Sequence, residues 1–236
     1  MRVVSLVPSA TETLLTLGVR PVACTRFCEQ PEIATVGGTK DPDLDAVRAA
    51  RPDLVVMNNE ENRLVDADAL RAAGLTVHDC SPRSVGDVGP AVAVLADALG
   101  VPVPPAFAPA RWARWLAGVT APPTTRDAVT FVWRRPWMAL GSDTYGASVL
   151  ACLGVSAAAT GAPGSRYPTV ELDVVRAASP RLVLLPSEPY PFRARHVDEL
   201  VAELPGVDVR LVDGRDLFWW GSRTPDALTR LAVTLS

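Results

Sequence analysis

The sequence predicts an α/β protein with two Rossmann-like lobes, each built on a parallel β-sheet, joined by a single long backbone helix. Two observations carry this prediction: short apolar strands alternate with helices along the chain, and one segment of the first half recurs in the second. The strands lack period-2 alternation, which is typical of parallel sheets covered by helices on both faces. We expect an N-terminal lobe over residues 1–103, a connecting helix over 104–123 and a C-terminal lobe over 124–236.

The recurring segment covers residues 43–57 and, 128 residues later, residues 171–185. Nine of its fifteen positions are identical, and each copy has the pattern of a short helix, a proline and a buried strand. A weaker similarity links residues 11–19 with residues 147–155, because both segments end in Leu-Gly-Val. The repeat predicts two lobes of similar topology.

The first half is predicted to begin with a buried strand and a helix. Ser9 and Glu12 fit a capping box, in which both side chains accept hydrogen bonds from free N–H groups at the start of the helix. The predicted strands of this half are Val3–Val7, Asp53–Met57 and Leu75–Asp79, and its helices are Ala10–Leu17, Val65–Ala73 and Val85–Leu99.

The second half repeats this alternation after a proline-rich connection. Proline clusters at residues 100–105 and 120–125 bracket a helical pattern at Ala106–Gly118, which predicts a stiff connector. The predicted strands of this half are Ala128–Val132, Arg181–Leu185 and Val207–Val212, and its helices are Thr144–Leu153, Ala194–Glu203 and Pro225–Thr234.

Charge and composition exclude several classes of function. The net charge is −3 and no basic stripe is present, which argues against a nucleic-acid partner. No apolar run reaches the roughly 20 residues that span a bilayer. The first strand follows Met1 and Arg2 directly, which leaves no room for a signal peptide or a lipid-anchor cysteine. We therefore expect a cytoplasmic protein if Met1 is the natural start, and we expect a monomer.

The four cysteines are expected to be reduced, partly buried thiols. Cys24 and Cys28 are separated by three residues, whereas structural zinc knuckles use two. His78 and Cys80 alternate along a predicted strand and share one of its faces. A metal site built from these residues is the less favoured alternative, and we predict none.

The aromatic residues are concentrated in loops that follow strands. Such loops contain ten of the fourteen aromatic side chains, namely Phe27, Trp133, Trp137, Tyr145, Tyr167, Tyr190, Phe192, Phe218, Trp219 and Trp220. Because ligands bind beyond the carboxyl ends of parallel strands, this distribution indicates a large, flat and partly apolar ligand. The alternative is that these rings pack the loops onto each other.

Polar residues accompany the rings, and no catalytic pattern is present. Asn58–Arg63, Arg134-Arg135 and Asp213–Asp216 follow strands and could hydrogen-bond the side arms of a ligand, although solvated loop tips have the same composition. The sequence has no nucleophile elbow, zincin, Walker or dinucleotide-binding motif. His78 is predicted within a strand and His196 within a helix, which leaves no histidine as a general base.

Several motifs resemble, in order and spacing, those of the class III substrate-binding proteins, whose lobes are joined by a helical backbone. This family includes the cobalamin-binding component of the vitamin B12 importer and receptors for haem and siderophores. The motifs span nearly the whole chain, and they are Ser5–Glu12, Val36–Thr39, Pro42–Val56, Ala73–Val77, Ser179–Val183 and Ser222–Pro225.

The resemblance implies a binding protein with its ligand between two lobes, no enzymatic activity and no intrinsic cofactor. The implied ligand is a corrinoid or another metal chelate, such as cobalamin, haem or a ferric siderophore. Asn58 stands where cobalamin proteins often carry a tryptophan. This departure bears on which corrinoid is bound. The ligand-binding residues implied by similarity are Phe27, Asn58, Trp137, Tyr167, Trp219 and Trp220.

The resemblance also implies an ABC transporter permease as a partner, contacted through one carboxylate from each lobe. Glu171 or Asp173 takes this place in the C-terminal lobe. The usual glutamate is absent near residues 64–66 of the N-terminal lobe, where only Asp66 is close. Together with the missing export signal, this predicts a protein that stores, senses or delivers its ligand in the cytoplasm and does not dock through Asp66 and Asp173.

Two rival hypotheses stay open at this stage. A chelatase of tetrapyrrole synthesis has a similar two-lobed arrangement and needs a histidine or carboxylate to take the pyrrole protons. Glu60, Glu61 and Asp143 could serve in that role. A regulatory module that binds a small anion is the third hypothesis, although such a ligand needs fewer aromatic residues.

Overall fold

The computed structural model describes residues 1–119, 126–158 and 164–236. The chain divides into two compact units. The first unit consists of Met1–Pro82, Gly86–Leu116 and Trp220–Arg223, and the second of Arg83–Val85, Ala117–Trp219 and Thr224–Ser236.

The first unit is built on a sheet of five parallel strands in the order β3-β2-β1-β4-β5. Its strands are β1 (Val3–Ser5), β2 (Ala23–Cys24), β3 (Ala34–Thr35), β4 (Leu54–Met57) and β5 (Val77–Asp79). The helices of this part of the chain are α1 (Pro8–Thr16), α2 (Leu44–Ala49), α3 (Leu64–Ala72), α4 (Val85–Leu99) and α5 (Pro109–Gly118).

The second unit is built on a mixed sheet in which β10, β9, β6 and β8 pair in parallel and β7 pairs antiparallel to β6. Its strands are β6 (Arg126–Trp133), β7 (Met138–Ala139), β8 (Val155–Ala157), β9 (Leu182–Pro186) and β10 (Asp208–Val212). Its helices are α6 (Tyr145–Cys152), α7 (Leu172–Ala178), α8 (Ala194–Glu203), α9 (Gly214–Phe218) and α10 (Thr224–Leu235).

The strand orders confirm the predicted duplication. The repeated strand β4 lies between β1 and β5, and its copy β9 lies between β6 and β10. The register agrees as well, because Leu54 pairs with Val3 and the matching Leu182 pairs with Ala128. The weaker Leu-Gly-Val similarity also has a structural basis, since Gly18 and Gly154 end their helices with positive φ angles of 75° and 71°.

Each unit has its own apolar core between its sheet and its helices. Strands β4 and β9 are buried along their whole length, as expected for strands covered on both faces. The core of the first unit includes Val4, Leu6, Val55, Met57 and Leu70. The core of the second unit includes Phe131, Val183, Leu185, Phe192 and Leu200.

The predicted capping box at the first helix is wrong. Helix α1 begins at Pro8, two residues before the predicted start, and its N-cap residue Val7 makes no side-chain cap. Proline fits the first helical turn because its fixed φ suits a helix and its missing N–H needs no partner. Glu12 instead binds Arg223 through two hydrogen bonds of 2.9 and 2.8 Å.

The connecting helix is shorter than predicted. Residues Pro105–Phe107 form a 3-10 turn, and α5 begins only at Pro109. Ala108 is extended because a residue that precedes proline is disfavoured in the helical region. The predicted connector extends to residue 123, and its residues 120–123 lie outside the described part of the chain.

The remaining differences concern short elements. The prediction omitted β2, β3, β7, β8 and α9, which have two to five residues each. Periodicity is a weak signal at that length.

Among the described helices, none is both long enough and apolar enough to cross a membrane.

Close packing of α4 against α5 yields the first prediction. A Cβ at Gly89 would lie 2.3 Å from Cγ of the buried Trp112. We therefore expect Gly89→Ala to lower the free energy of unfolding by about 1–3 kcal/mol, although alanine normally stabilises a helix. Urea denaturation of the purified variant measures this change.

Gly118→Ala is the matched control, because no atom lies within 4 Å of a Cβ at that helix position. We expect it to stabilise the protein by up to about 1 kcal/mol. Equal effects of the two substitutions would contradict the proposed packing of Trp112 against Gly89.

Candidate functional site

The carboxyl edge of the first sheet carries a loop of amide side chains directly after β4. Asn58 is buried, and its Nδ2 donates to the carbonyl of Cys80 at 3.0 Å. Its Oδ1 accepts the backbone N–H groups of Glu60 and Glu61 at 2.7 and 3.3 Å. Asn58, which the sequence predicts as a ligand contact, therefore uses its amide to shape the loop.

Asn62 holds the same loop against two neighbouring segments. Its Nδ2 donates to the carbonyls of Leu6 and Thr39 at 3.0 and 2.9 Å, and its Oδ1 accepts the backbone N–H of Asn58 at 2.8 Å. Leu6 directly follows β1, so this amide ties together the ends of two adjacent strands. The sequence shows Asn62 only as a polar residue after a strand, and this role was not predicted.

A small cavity lies beside this loop, within the first unit. Its volume is about 80 Å³, which is enough for a few water molecules and too little for a macrocycle. The lining combines apolar groups with amides and charges, including Met57, Asn59, Arg63, Ala67 and Asp79. The cavity is thus a small, mostly apolar niche at the sheet edge, with amide and charged groups in its lining.

Phe27 is exposed at the same sheet edge, after β2. Half of its surface is accessible, which is unusual for a phenylalanine and indicates a surface ready for an apolar contact. The guanidinium of Arg26 lies 4.8 Å from the ring centroid and also binds the carboxylate of Asp41 at 3.0 Å. The predicted position of Phe27 on a loop after a strand is confirmed.

An aromatic cluster occupies the corresponding edge of the second sheet. We call it the ring cluster, and its members are Phe131, Trp133, Trp137, Tyr190, Phe192 and His196. Trp137 is half-buried and stacks on Phe192 with the ring planes within 2° and the centroids 6.1 Å apart. Trp133 meets Tyr190 edge to face at 5.5 Å, and 43% of its surface is exposed.

Arg134 brings a cation to the ring cluster. One of its guanidinium nitrogens binds both carboxylate oxygens of Glu199 at 2.6 and 2.8 Å. The same guanidinium lies 5.5 Å from the centroid of the Trp137 ring, within cation–π distance. This edge therefore combines flat apolar surfaces with a fixed positive charge.

His196 belongs to the ring cluster but is not placed as a general base. It is buried, and its Nδ1 accepts the backbone N–H of Arg193 at 2.9 Å. Burial lowers the pKa of His196, and the charges of Arg195 and Arg134 lower it further while Glu199 opposes them. The imidazole is therefore neutral at pH 7 and serves as a packing residue.

Two other predicted ligand residues, Trp219 and Trp220, are both buried. Trp219 belongs to the second unit, and its Nε1 donates to Oε1 of Glu188. Trp220 belongs to the first unit, and its Nε1 has no hydrogen-bond partner among the described residues. Adjacent residues of an extended chain point to opposite sides, which predicts one exposed and one buried ring, whereas both rings are buried here.

Tyr167 is half-buried and held beside β7 by its neighbours along the chain. The carbonyls of Arg166 and Pro168 accept the backbone N–H groups of Gly141 and Ala139 at 2.8 and 2.9 Å. Tyr145 was counted among the loop aromatics, but it lies in the first turn of α6 and is buried. Burial raises the pKa of Tyr145 despite a hydrogen bond with Thr224.

The carboxylates predicted for docking occupy different environments. Asp66 is buried near the start of α3, and Arg63 binds both of its oxygens at 2.8 and 2.7 Å. Glu171 precedes α7 and is exposed. Asp173 is also exposed and pairs with Arg176.

The residues considered for chelatase chemistry lie in different units. Glu60 and Glu61 lie in the loop fixed by Asn58, whereas Asp143 is in the second unit and pairs with Arg83 at 3.4 Å. Within the described ranges, no three histidine, cysteine or acidic residues are grouped closely enough to hold a metal ion.

Solved structures similar to this chain include periplasmic binding proteins. The chain is similar to the haem-binding protein HutB of Vibrio cholerae, with a TM-score of 0.80 and 18% identity over 100% of this chain and 98% of that one. The vitamin B12-binding protein BtuF of Vibrio cholerae gives a TM-score of 0.79 and 18% identity over 99% and 96%. The haem-binding protein RhuT from Roseiflexus sp. RS-1 gives 0.78 and 21% over 99% and 97%.

Sequence comparison gives no assignment, because no family model and no curated protein matches the chain. The structural similarity covers almost the full length of both partners in each pair. The chain therefore has the α/β fold of class III binding proteins, as the sequence motifs predicted.

The amide loop yields the second prediction. We expect Asn62→Ala to lower the free energy of unfolding by about 2–4 kcal/mol, because it leaves the carbonyls of Leu6 and Thr39 without this donor. Asn59→Ala is the control, since the Asn59 side chain is exposed, and its effect should stay within about 0.5 kcal/mol. Chemical denaturation of both variants tests this, and an unchanged Asn62→Ala protein would contradict it.

Proposed function

We propose that this chain is a binding protein for a metal chelate of the corrinoid or tetrapyrrole type, and that it is not an enzyme. The observation that carries this proposal is the full-length similarity to proteins named for vitamin B12 and haem binding, with TM-scores of 0.79 and 0.80. Fold alone does not define a ligand, so the proposal also needs support from side chains at the sheet edges.

The exposed aromatic side chains supply that support. Phe27 at the first sheet and Trp133 at the second are the exposed aromatic residues of the described chain, and both follow or end a strand at its carboxyl edge. Trp137 and Tyr167 are half-buried and add further ring surface to the second unit. Flat apolar rings complement a macrocycle.

A chelatase is the less favoured alternative. It requires a group that removes protons from the macrocycle, and His196 is buried and neutral at pH 7. The neighbours in structure are named as binding proteins, which favours reversible binding over chemistry. Formation of a metallated product from a free-base porphyrin and ferrous or cobaltous ion would support the chelatase instead.

The proposed physiological role is ligand uptake with an ABC-type importer, or delivery of the ligand within the cell. The similar structures are named as periplasmic, which favours uptake. Asp66 is held by Arg63 inside the first unit and is poorly placed for docking to a permease. We therefore propose that docking through Asp66 and Asp173 is lost. Cell fractionation distinguishes the roles, because uptake requires the intact chain outside the cytoplasmic membrane.

Ligand titration tests the central proposal. Cobalamin, cobinamide, haemin and a ferric siderophore are titrated separately into the purified protein, with calorimetry and absorption spectroscopy as readouts. We expect micromolar or tighter binding of at least one corrinoid, with haem or a ferric chelate as the next candidates. Absence of heat and of a spectral shift with all four compounds would contradict the proposal.

Truncation of Trp133 gives the third prediction. A ring that covers part of a macrocycle buries roughly 80–100 Å² of apolar area, which contributes about 2–2.5 kcal/mol. We expect Trp133→Ala to weaken binding by about 30- to 70-fold with little loss of thermal stability. Phe27→Ala should also weaken binding. Trp115→Ala on α5 is the control, since this ring packs at a tilt against Trp112 with the centroids 4.5 Å apart, and its loss should leave affinity unchanged.

Truncation of the buried rings should instead lower the stability of the protein. Trp219→Ala and Trp220→Ala should each lower the free energy of unfolding by about 3–5 kcal/mol, because both remove a ring from a packed interior. If these two variants keep their melting temperature and lose binding while Trp133→Ala binds normally, the assignment of exposed and buried rings is wrong.

A further inference from the structure

Two cysteines lie side by side in the first unit, at a place that the proposed function does not use. Cys24 ends β2, and Cys28 closes the turn that follows, with its backbone N–H donating to the carbonyl of Thr25 at 3.1 Å. Both side chains are buried and pack together with Ile33. The turn therefore brings the two sulfur atoms into one small apolar cluster.

Three groups surround the sulfur of Cys28. Oγ1 of Thr11, from helix α1, lies 3.2 Å from Sγ of Cys28 and 3.1 Å from the carbonyl oxygen of Val7, and its one proton is shared between these two acceptors. Oγ1 of Thr25 lies at the same distance from this sulfur. The thiol of Cys24 is the third group, and it is hydrogen-bonded to Cys28. Hydrogen bonds of this kind favour the charged form of a thiol over the neutral form.

The two thiols consequently differ in acidity. The hydrogen bond from Cys24 is the largest cause that lowers the pKa of Cys28, and the hydroxyls of Thr11 and Thr25 lower it further. Burial opposes them, and the pKa of Cys28 comes to about 6. The pKa of Cys24 is raised by its hydrogen bond to Cys28, by burial and by the charge of Glu32. Cys28 is therefore the more readily ionised of the two thiols.

We propose that Cys24 and Cys28 form a hydroperoxide-reactive dithiol that closes to an intramolecular disulfide. The Cys28 thiolate attacks the O–O bond of the hydroperoxide, an S–O bond forms, and the other oxygen leaves as water or an alcohol. The sulfur of Cys24 then attacks the resulting sulfenic acid, an S–S bond forms, and water leaves with the proton of Cys24. The two thiols lose two electrons in total, and the hydroperoxide gains them.

The other two cysteines serve as internal controls. Burial raises the pKa of Cys80 to about 12, so this thiol is neutral at pH 7. Burial also raises the pKa of Cys152. Neither sulfur has a thiolate fraction comparable to that of Cys28, so peroxide should modify the pair at residues 24 and 28 first.

Peptide mapping of the unmodified sequence gives the direct test. Trypsin cleaves between Arg26 and Phe27, which separates the two cysteines onto different peptides. After brief treatment with hydrogen peroxide at pH 7 and alkylation of free thiols, we expect these two peptides to remain linked without reductant and to separate with it. Alkylated Cys80 and Cys152 should appear in the same digest.

Cysteine variants separate the two steps. We expect Cys24→Ser to stop at the sulfenic acid of Cys28, which dimedone traps, because the resolving sulfur is missing. We expect Cys28→Ser to lose both the linked peptide and the early dimedone adduct. The wild-type digest remains decisive even if either variant fails to fold.

The role of the hydroxyls is tested by titration of thiolate absorbance in the ultraviolet. Because a thiolate forms as pH rises through the pKa, we expect the wild-type protein to show a step near pH 6 that is absent in Cys28→Ser. Thr11→Val should move this step upward by about one pH unit. Thr16→Val is the matched control, because Thr16 lies on the same helix and bonds only to the carbonyl of Glu12 at 3.1 Å.

Three results would overturn the inference. One is a digest in which Cys80 or Cys152 is oxidised before the pair. Another is conversion of Cys28 to sulfinic acid without a linked peptide. The third is a titration in which no thiol ionises below pH 7.

Discussion

The parallel pairing of β4 with β1, and of β9 with β6, is the constraint on which the rest of the structure depends. Both repeated strands are buried along their whole length, so neither face of these two strands can carry exposed polar chemistry. Parallel strands also require a crossover helix between them, which fixes a helix before and after each strand. Side chains for contacts with a ligand are therefore expected in the loops after the strands, and the carboxyl edges become the places where a ligand can bind.

The sequence was sufficient to predict the fold because its strongest signals are periodic and repeated. Residues 43–57 and 171–185 form equivalent helices and strands, and α4 and α8 have the predicted bounds Val85–Leu99 and Ala194–Glu203. The repeat extends to a detail that no pattern indicated. Arg51 and Ser179, which precede the matching prolines, both have left-handed backbone with φ angles of 45° and 46°. This conformation ends each helix before the proline and turns the chain into the buried strand.

The candidate site was predicted less well because its side chains depend on tertiary contacts. The sequence correctly placed Phe27 and Trp137 in loops after strands, but it did not distinguish exposed rings from buried ones. Trp219 and Trp220 are adjacent, and alternation along an extended chain predicts opposite directions. Both rings nevertheless reach apolar interiors, because consecutive residues belong to different compact units. Trp133 is exposed because it ends β6, a position that pattern analysis assigns to a core strand as readily as to a loop.

The two copies have diverged most where the repeated strands end. After β4 the chain carries Asn58 and Asn62, whose amides form hydrogen bonds with backbone groups and hold the polar loop in place. After β9 the corresponding stretch carries Tyr190 and Phe192, which pack into the ring cluster. A duplicated fold thus offers two chemically different edges, one that fixes a loop by hydrogen bonds and one that presents aromatic surface beside a fixed guanidinium.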